Sequence, residues 1–547
     1  MEIDYDTANG CQALDLIENS GGWRLALLGK MELFPIAEAM LKPDHLLTHP
    51  NAYLGVSFYL ARRNRVIEAR DLFSDLRAAF NSGKIDGADN LAVELPIVDV
   101  HIRYYEDSSM GQAELDELQV ILDRVPASDP LSRALAMNYL CNVAMHLGDF
   151  NFSQGYAENA IRAYLDGGAD FGALHLHAHL GQIRLARGDL VGADREYRVM
   201  AKSLQKIKPD KKELLAICKS LRSEAAYEMN EIAKSEALLK SALRIVEDHG
   251  AWLDVLAAGY RVSTRLAMHH DGLPGALSAL AHAEAIATKR EMPRLHRLLQ
   301  LEKIRALTLS NELDAAGEEI RRAGFDNFAK RVDWDIEADW AMRLGSTIVA
   351  LARFLIADRR AAEALLVLNV AEDHAIHNGQ MLTVAKLRVI RALALWRLRH
   401  QNDAINALVS AVRILGKQPF RRFIIDEGSN LQEIVQAALD GDNIEARSNR
   451  LVRHRFRELN HLWTVQHEKP KTGNNPGVPS HSDHERSYAG RRQYLELLAV
   501  GKSNKEISRA LGVSQNTVKY HLKIIFKELG VNNRVRAANR ARDLGIF

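Results

Sequence analysis

Short polar breaks recur along most of this chain at a near-constant interval, and that recurrence constrains the fold more than any other feature. They fall near Asn64, Asp107, Gly148, Gly188, Asn230, Gly272, Asn311, Asp358 and His400, a mean spacing of about 42 residues. Each separates two apolar stretches of helical period: around Gly188, LHAHLGQIRLARGD comes before and LVGADREYRVMAKSL after. In the second stretch Ala193, Tyr197 and Met200 stand at i, i+4 and i+7, on one helical face. A helical hairpin repeated in tandem makes an α-solenoid, because one hairpin cannot bury its apolar face alone and stacked neighbours can. The alternative is an irregular bundle whose breaks are evenly spaced by chance.

Composition agrees with an all-α chain. Hydrophobic residues make up 47% and aromatics only 6% of 547 residues, which favours helices packed through Ala and Leu. That length is more than one core usually encloses, so a repeat array or several domains are expected. Cys11, Cys141 and Cys218 lie far apart and form neither a disulfide framework nor a metal motif. The N-terminus, MEIDYD, lacks the basic-then-apolar order of a signal peptide. The longest apolar stretch, 347–357, is interrupted by Arg353 and is too short to cross a bilayer. These features predict a cytoplasmic protein with no membrane partner.

The net charge of +2 hides an uneven distribution. From Tyr488 onward there are twelve Lys/Arg and four Asp/Glu, leaving 60 basic and 66 acidic residues upstream. A small basic end suited to a polyanion is thus joined to an acidic body. Between them runs QHEKPKTGNNPGVPSHSDHERS, rich in Pro, Gly and charge and without apolar period. The expected organisation is a helical-repeat body over residues 1–465, a linker over 466–487 and a basic domain over 488–547, whose motifs, given next, make it a DNA-binding domain.

Within the basic end, local signals agree with one another. Ser503-Asn504-Lys505-Glu506 reads as a capping box opening a helix over about 503–510. Gly512 permits a left-handed turn, and Ser514 can cap a second helix running to about residue 528. On that helix Val518, Leu522 and Ile525 share one face and should pack with Ile507, Leu511, Val513 and Leu529. The opposite face carries Lys519, Tyr520 and Lys523, placed to enter a major groove, where ammonium groups donate to guanine O6 and N7 or neutralise phosphate.

This stretch resembles the LuxR/NarL-type DNA-binding domain, a four-helix fold whose pattern includes SNKEIA, an LG turn and TVK-x-H. Here these are residues 503–508, Leu511-Gly512, and Thr517-Val518-Lys519 with His521, extended by Leu529-Gly530-Val531, Asn533-Arg534 and Ala537-Ala538. The resemblance implies that Lys519, Tyr520 and Lys523 face bases and that Thr517 and His521 lie near the backbone. Asn516, Lys502 and Lys505 complete the expected DNA-binding set. It also implies that a last helix, about 534–543, supports a homodimer on DNA. The family's opening L-T-x-R-E cap has no counterpart, since Ser487, Tyr488 and Arg491 stand in its place. Arg491 and Arg492 could contact phosphate there instead.

The body carries a second resemblance. Leu180-Gly181, Gly188, Ala193 and Tyr197 match the tetratricopeptide pattern of small and large residues, echoed by Leu140, Gly148 and Ala160. A period of about 42 in place of 34 implies longer helices or a HEAT-like variant. Gly21-Gly22-Trp23-Arg24 and His49-Pro50 resemble the entry to the helical-repeat region of MalT-like LuxR regulators. In those proteins the superhelix is implicated in inducer sensing and follows an ATP-binding module. No phosphate-cradling loop is read here: Gly22 and Gly29-Lys30 are separated by six residues, Met31 replaces the expected Ser or Thr, and the GKS at 501–503 begins a helix. No ATPase activity and no cofactor are therefore expected.

Two other constellations compete for a role. His175, His177 and His179 alternate, with the outer pair at metal-ligand spacing, but Asp170 is the only nearby carboxylate and lies off their face. They read as structural or exposed histidines. The acidic run from Asp333 to Asp339 with Trp334 and Trp340 reads either as a sugar-like pocket or as an acidic helix start with buried tryptophans. No catalytic spacing is found, so an enzyme is not expected. The resulting expectation is a transcriptional regulator, an activator by preference. It would bind double-stranded promoter DNA and RNA polymerase, and would receive a small-molecule inducer or a protein on its superhelix. Two alternatives are an interaction scaffold with a vestigial DNA-binding domain and a sigma factor, the latter lacking a promoter-melting domain.

Overall fold

A computed structural model describes residues 10–85, 90–108, 110–207, 212–248, 251–325, 345–468, 492–511, 515, 518–519, 522, 525–526, 531 and 533–543. Its described elements are all α-helices, and the chain divides into two compact units, Met1–Gln466 and His467–Phe547.

The first unit is a run of nine helical hairpins, among the described residues. They are Pro50–Arg62 with Val66–Asn81, Leu91–Tyr105 with Gln112–Arg124, Pro130–Leu147 with Phe150–Asp166, and Asp170–Ala186 with Leu190–Ile207. Next come Lys212–Glu228 with Ile232–Lys240, the two arms of Leu253–Lys289, and Pro293–Leu309 with Leu313–Arg322. Gly345–Ala357 with Ala361–His377 and Met381–Arg397 with Gln401–Leu415 complete the run. The hairpins turn at residues with left-handed backbone: Asn64, Asp107, Gly148, Gly188, Asn230, Gly272, Asn311, Arg359 and Arg399. Seven of these are the breaks read from sequence. The last two fall one residue from Asp358 and His400, where an arginine adopts a conformation that its chemistry does not advertise. The long period comes from long helices, since the third and fourth hairpins are built of helices of 17 and 18 residues, more than a 34-residue repeat holds.

Local chemistry starts and nests these helices. Asp129 accepts from the Ser132 amide at 3.1 Å ahead of Pro130, and Asp149 from the Phe152 amide at 2.9 Å. Ala193, Tyr197 and Met200 are fully buried. The main apolar core has members from Ala13 to Trp463, with two smaller clusters around Ile304 and Val262 beside it. Ahead of the first hairpin, Trp23 is fully buried and donates from Nε1 to Glu94 Oε2 at 2.8 Å. Arg24 donates to Glu94 Oε1 and to Asp129 Oδ2, both at 2.7 Å.

The array winds tightly enough for hairpins five apart to touch. Arg290 donates to the Asn64 side chain at 2.8 Å, and the Arg294 amide to Asp107 at 2.8 Å. Gln418 donates to Asp189 at 2.9 Å and Arg422 to the Asn230 side chain at 3.1 Å. Turn residues on one coil are thus docking points for the next. After the ninth hairpin the short helix Arg422–Ile425 folds against the fifth, where Tyr227 donates to Asp426 at 2.9 Å. The final helix, Arg450–Glu468, backs that segment through Trp463 Nε1 to the Ile425 carbonyl at 3.1 Å. It runs three residues into the segment read as linker, the rest of which lies outside the described residues.

Candidate nucleic-acid interface

In the second unit Arg492–Ala499 ends at a turn through Gly501, whose φ of 84° suits glycine. The next helix, Asn504–Leu511, begins with the reciprocal cap. The Ser503 amide and hydroxyl both donate to Glu506 Oε2 at 2.8 Å, and the Glu506 amide donates back to Ser503 Oγ at 3.3 Å. These bonds to Ser503, with Lys502 beside it, hold the Glu506 carboxyl below its ordinary value.

Ile507 enters a core with Tyr494, Leu498, Val518, Leu522, Ile525 and Ala537, and Leu511 packs at its edge. Residues 515, 518, 519, 522, 525 and 526 are helical. With Val518 and Ile525 fully buried and Leu522 nearly so, the phase of that helix turns Lys519 outward, and its side chain is exposed. Lys523, Asn516, Thr517, Tyr520 and His521 lie outside the described residues, as do Val513, Leu529 and Arg491. Lys502 and Lys505 are both exposed, and Lys502 Nζ stands 3.5 Å from Glu506 Oε1.

The last helix runs Arg534–Asp543, with Asn533 accepting from the Arg536 amide at 2.9 Å. It buries Ala537, while Val535 is 65% exposed. A tie that sequence reasoning missed joins it to the capping turn: Arg534 Nη2 donates to the Lys502 carbonyl at 2.6 Å. An arginine 32 positions from a backbone carbonyl leaves no local signature. What the unit presents is a capped helix, a packed following helix and exposed lysines on both, an arrangement able to meet phosphate and base edges.

The three alternating histidines are not brought together. His175 Nε2 lies 3.0 Å from Arg62, His177 Nδ1 lies 3.0 Å from Glu196, and His179 packs its ring 5.5 Å from that of Trp252. No metal-ligand group of three occurs among the described residues. Burial pushes His179 down to about 4 and His175 to about 3. The segment 333–340 lies outside the described residues. Among them no helix is long and apolar enough to cross a membrane.

Comparison with known proteins matches two stretches. Residues 110–440, more than half of the chain, match the MalT-like TPR region, and residues 491–541 match the bacterial regulatory proteins of the luxR family. The CsgBAC operon transcriptional regulatory protein of Escherichia coli (strain K12) is 46% identical over 52 residues, 10% of this chain and 24% of that one. The HTH-type transcriptional regulator AlkS of Alcanivorax borkumensis is 49% identical over 53 residues, 10% and 6% of the two chains. The HTH-type quorum-sensing regulator RhlR of Pseudomonas aeruginosa is 32% identical over 122 residues, 22% and 47%. The chain therefore spans less than half the length of each of these relatives. A crystal structure of a Rap protein complexed with competence and sporulation factor superposes with a TM-score of 0.51 at 13% identity. It covers 67% of this chain and 98% of its own, a likeness of fold.

Proposed function

Because this chain belongs to the family of the MalT-like TPR region and carries a luxR-family regulatory segment, we propose that it is a sequence-specific DNA-binding transcriptional regulator. In this reading the repeat unit receives the signal. The carrying observation is the helical phase in the second unit: Val518, Leu522 and Ile525 face inward and Lys519 faces out. Lys519 and, one turn on, Lys523 read base edges in the major groove, with Tyr520 between them. Thr517, His521 and Asn516 approach the backbone, and Lys502 and Lys505 neutralise phosphate from the capped helix. The exposed Val535 on the last helix supports pairing of two copies on a bipartite site. The protein acts in the cytoplasm as an activator that engages RNA polymerase.

A DNase footprint tests the assignment. Lys519→Ala with Lys523→Ala abolishes site-specific protection, whereas Lys502→Ala weakens binding without changing the preferred sequence. Retention of the same footprint by the double variant would remove the groove assignment.

A further inference from the structure

Within the repeat unit a cavity of about 530 Å³ lies along the first helices of the fifth to ninth hairpins, represented by Tyr227, Arg265, Arg305, Arg353 and Trp396. The short helix Arg422–Ile425 and the residues after it close one side. Among the described residues its charge is unbalanced. Arg265, Arg305, Arg353, Arg397 and Arg422 line it against two carboxylates, Asp426 and Glu427. Glu302, which accepts from Arg265 at 2.7 Å, raises the acids to three and leaves an excess of two positive charges. Behind them Arg261 and Lys386 are matched by Glu224 and Glu228, at 2.6 and 3.8 Å, so the excess stands among the described residues.

Both lining carboxylates are committed. Asp426 meets Arg305 at 2.8 Å, Arg422 at 2.7 Å and the Tyr227 hydroxyl at 2.9 Å, and Glu427 accepts from Arg353 at 2.8 Å on one oxygen and again on the other. Arg397 at the rim is exposed and has no ion-pair partner among the described residues. The remaining lining includes Ile356, Leu393 and Trp396. A concave site of this size falls within the range of small-molecule pockets. Uncompensated positive charge in a partly desolvated wall is stabilised by a counter-charge that enters with the occupant.

We propose that this cavity binds a small organic anion, a carboxylate or phosphate monoester carried on an apolar or aromatic body. Its charged end meets Arg305, Arg397 and Arg422, and its body lies on Trp396 and Leu393. The proposal rests on the reading that the repeat unit receives a signal, and the geometry supplies a route outward. An anion that draws Arg305 or Arg422 from Asp426 disturbs the seat of the final helix. Trp463 holds the Ile425 carbonyl there, and Glu458 holds Arg421 at 2.5 Å. From that helix the chain continues into the second unit.

The test is calorimetric titration of the full chain at low salt with phenyl phosphate and phenylacetate, using 2-phenylethanol and phenethylamine as neutral and cationic counterparts. At least one anion binds at one site per chain, and the alcohol and amine do not. Arg397→Ala, at an exposed position, weakens binding about fivefold, and Arg305→Gln weakens it further. Which anion binds tells phosphate from carboxylate. Equal binding of the alcohol, or unchanged anion affinity in Arg397→Ala, overturns the proposal, as does binding of neither anion. Since the titration contains no DNA, such a result leaves the DNA-binding reading standing.

Discussion

Gly181 and Tyr197 meet across the fourth hairpin so closely that a β-carbon built on Gly181 would stand 2.6 Å from Cζ of the fully buried tyrosine ring. The small residue and the large one are halves of a single contact, and neither can change alone. Gly181→Ala is expected to destabilise the repeat unit by on the order of 1–3 kcal/mol, the range for overpacking a filled core. Gly155→Ala, on the exposed face of Phe150–Asp166 with nothing within 4 Å of the new methyl, is expected to stabilise by roughly 0.5–1 kcal/mol. Urea midpoints of the two variants should move in opposite directions.

Glu94 is 2% exposed and accepts from Trp23, Arg24 and Asn90 at 2.8, 2.7 and 3.0 Å. Glu94→Ala strands a buried indole N–H and removes one partner of Arg24, which retains Asp129. The expected cost is about 3–5 kcal/mol. Glu94→Gln keeps an acceptor for Trp23 and should cost less. Equal loss in both variants, read by thermal melting, would mean that the ion pair and not the hydrogen bond to Trp23 carries the effect.

Burial holds His179 down to about 4 although Asp254 favours its charged form. Unfolding releases it to about 6.5, so the unfolded chain binds the extra proton first. Stability is therefore full above pH 6.5 and lost as pH falls toward 4, by on the order of 3 kcal/mol for this group. His179→Asn should flatten the melting temperature between pH 6.5 and 4. An unchanged slope would assign the acid sensitivity elsewhere, with His175 the next candidate.

Asn64 both turns the first hairpin, at φ 62°, and accepts from Arg290 of the coil above it. Asn64→Gly keeps the turn and deletes the acceptor, leaving a mostly buried guanidinium with one bond fewer. The expected loss is roughly 1.5–3 kcal/mol. Asn64→Ala adds the cost of a left-handed alanine and should melt lower still.

That double duty shows where the sequence was readable and where it was not. The breaks at Asn64, Asp107 and Asn230 were visible because Asn and Asp tolerate left-handed backbone and interrupt an apolar period. Arg359 and Arg399 carry no such signal, and the polar residues that mark their turns, Asp358 and His400, stand one position away. Docking of the same turn residues on partners 187–226 positions later depends on how tightly the array winds, which no local pattern encodes. The cavity is hidden for the same reason, since its wall joins five hairpins to a segment that folds back from beyond the ninth. In the second unit the capping box, the inward face of the following helix and the bounds of the last helix were all legible, because each is set within one or two helical turns. Arg534 on the Lys502 carbonyl was not.

The central claim is that the C-terminal unit reads DNA sequence for this chain. Genome-wide mapping of DNA bound by the intact protein, beside its Lys519→Ala, Lys523→Ala variant, tests it most directly. The expected result is discrete promoter-proximal sites that share one sequence element and disappear in the variant. Occupancy indistinguishable from background, or the same sites bound equally by the variant, would contradict it.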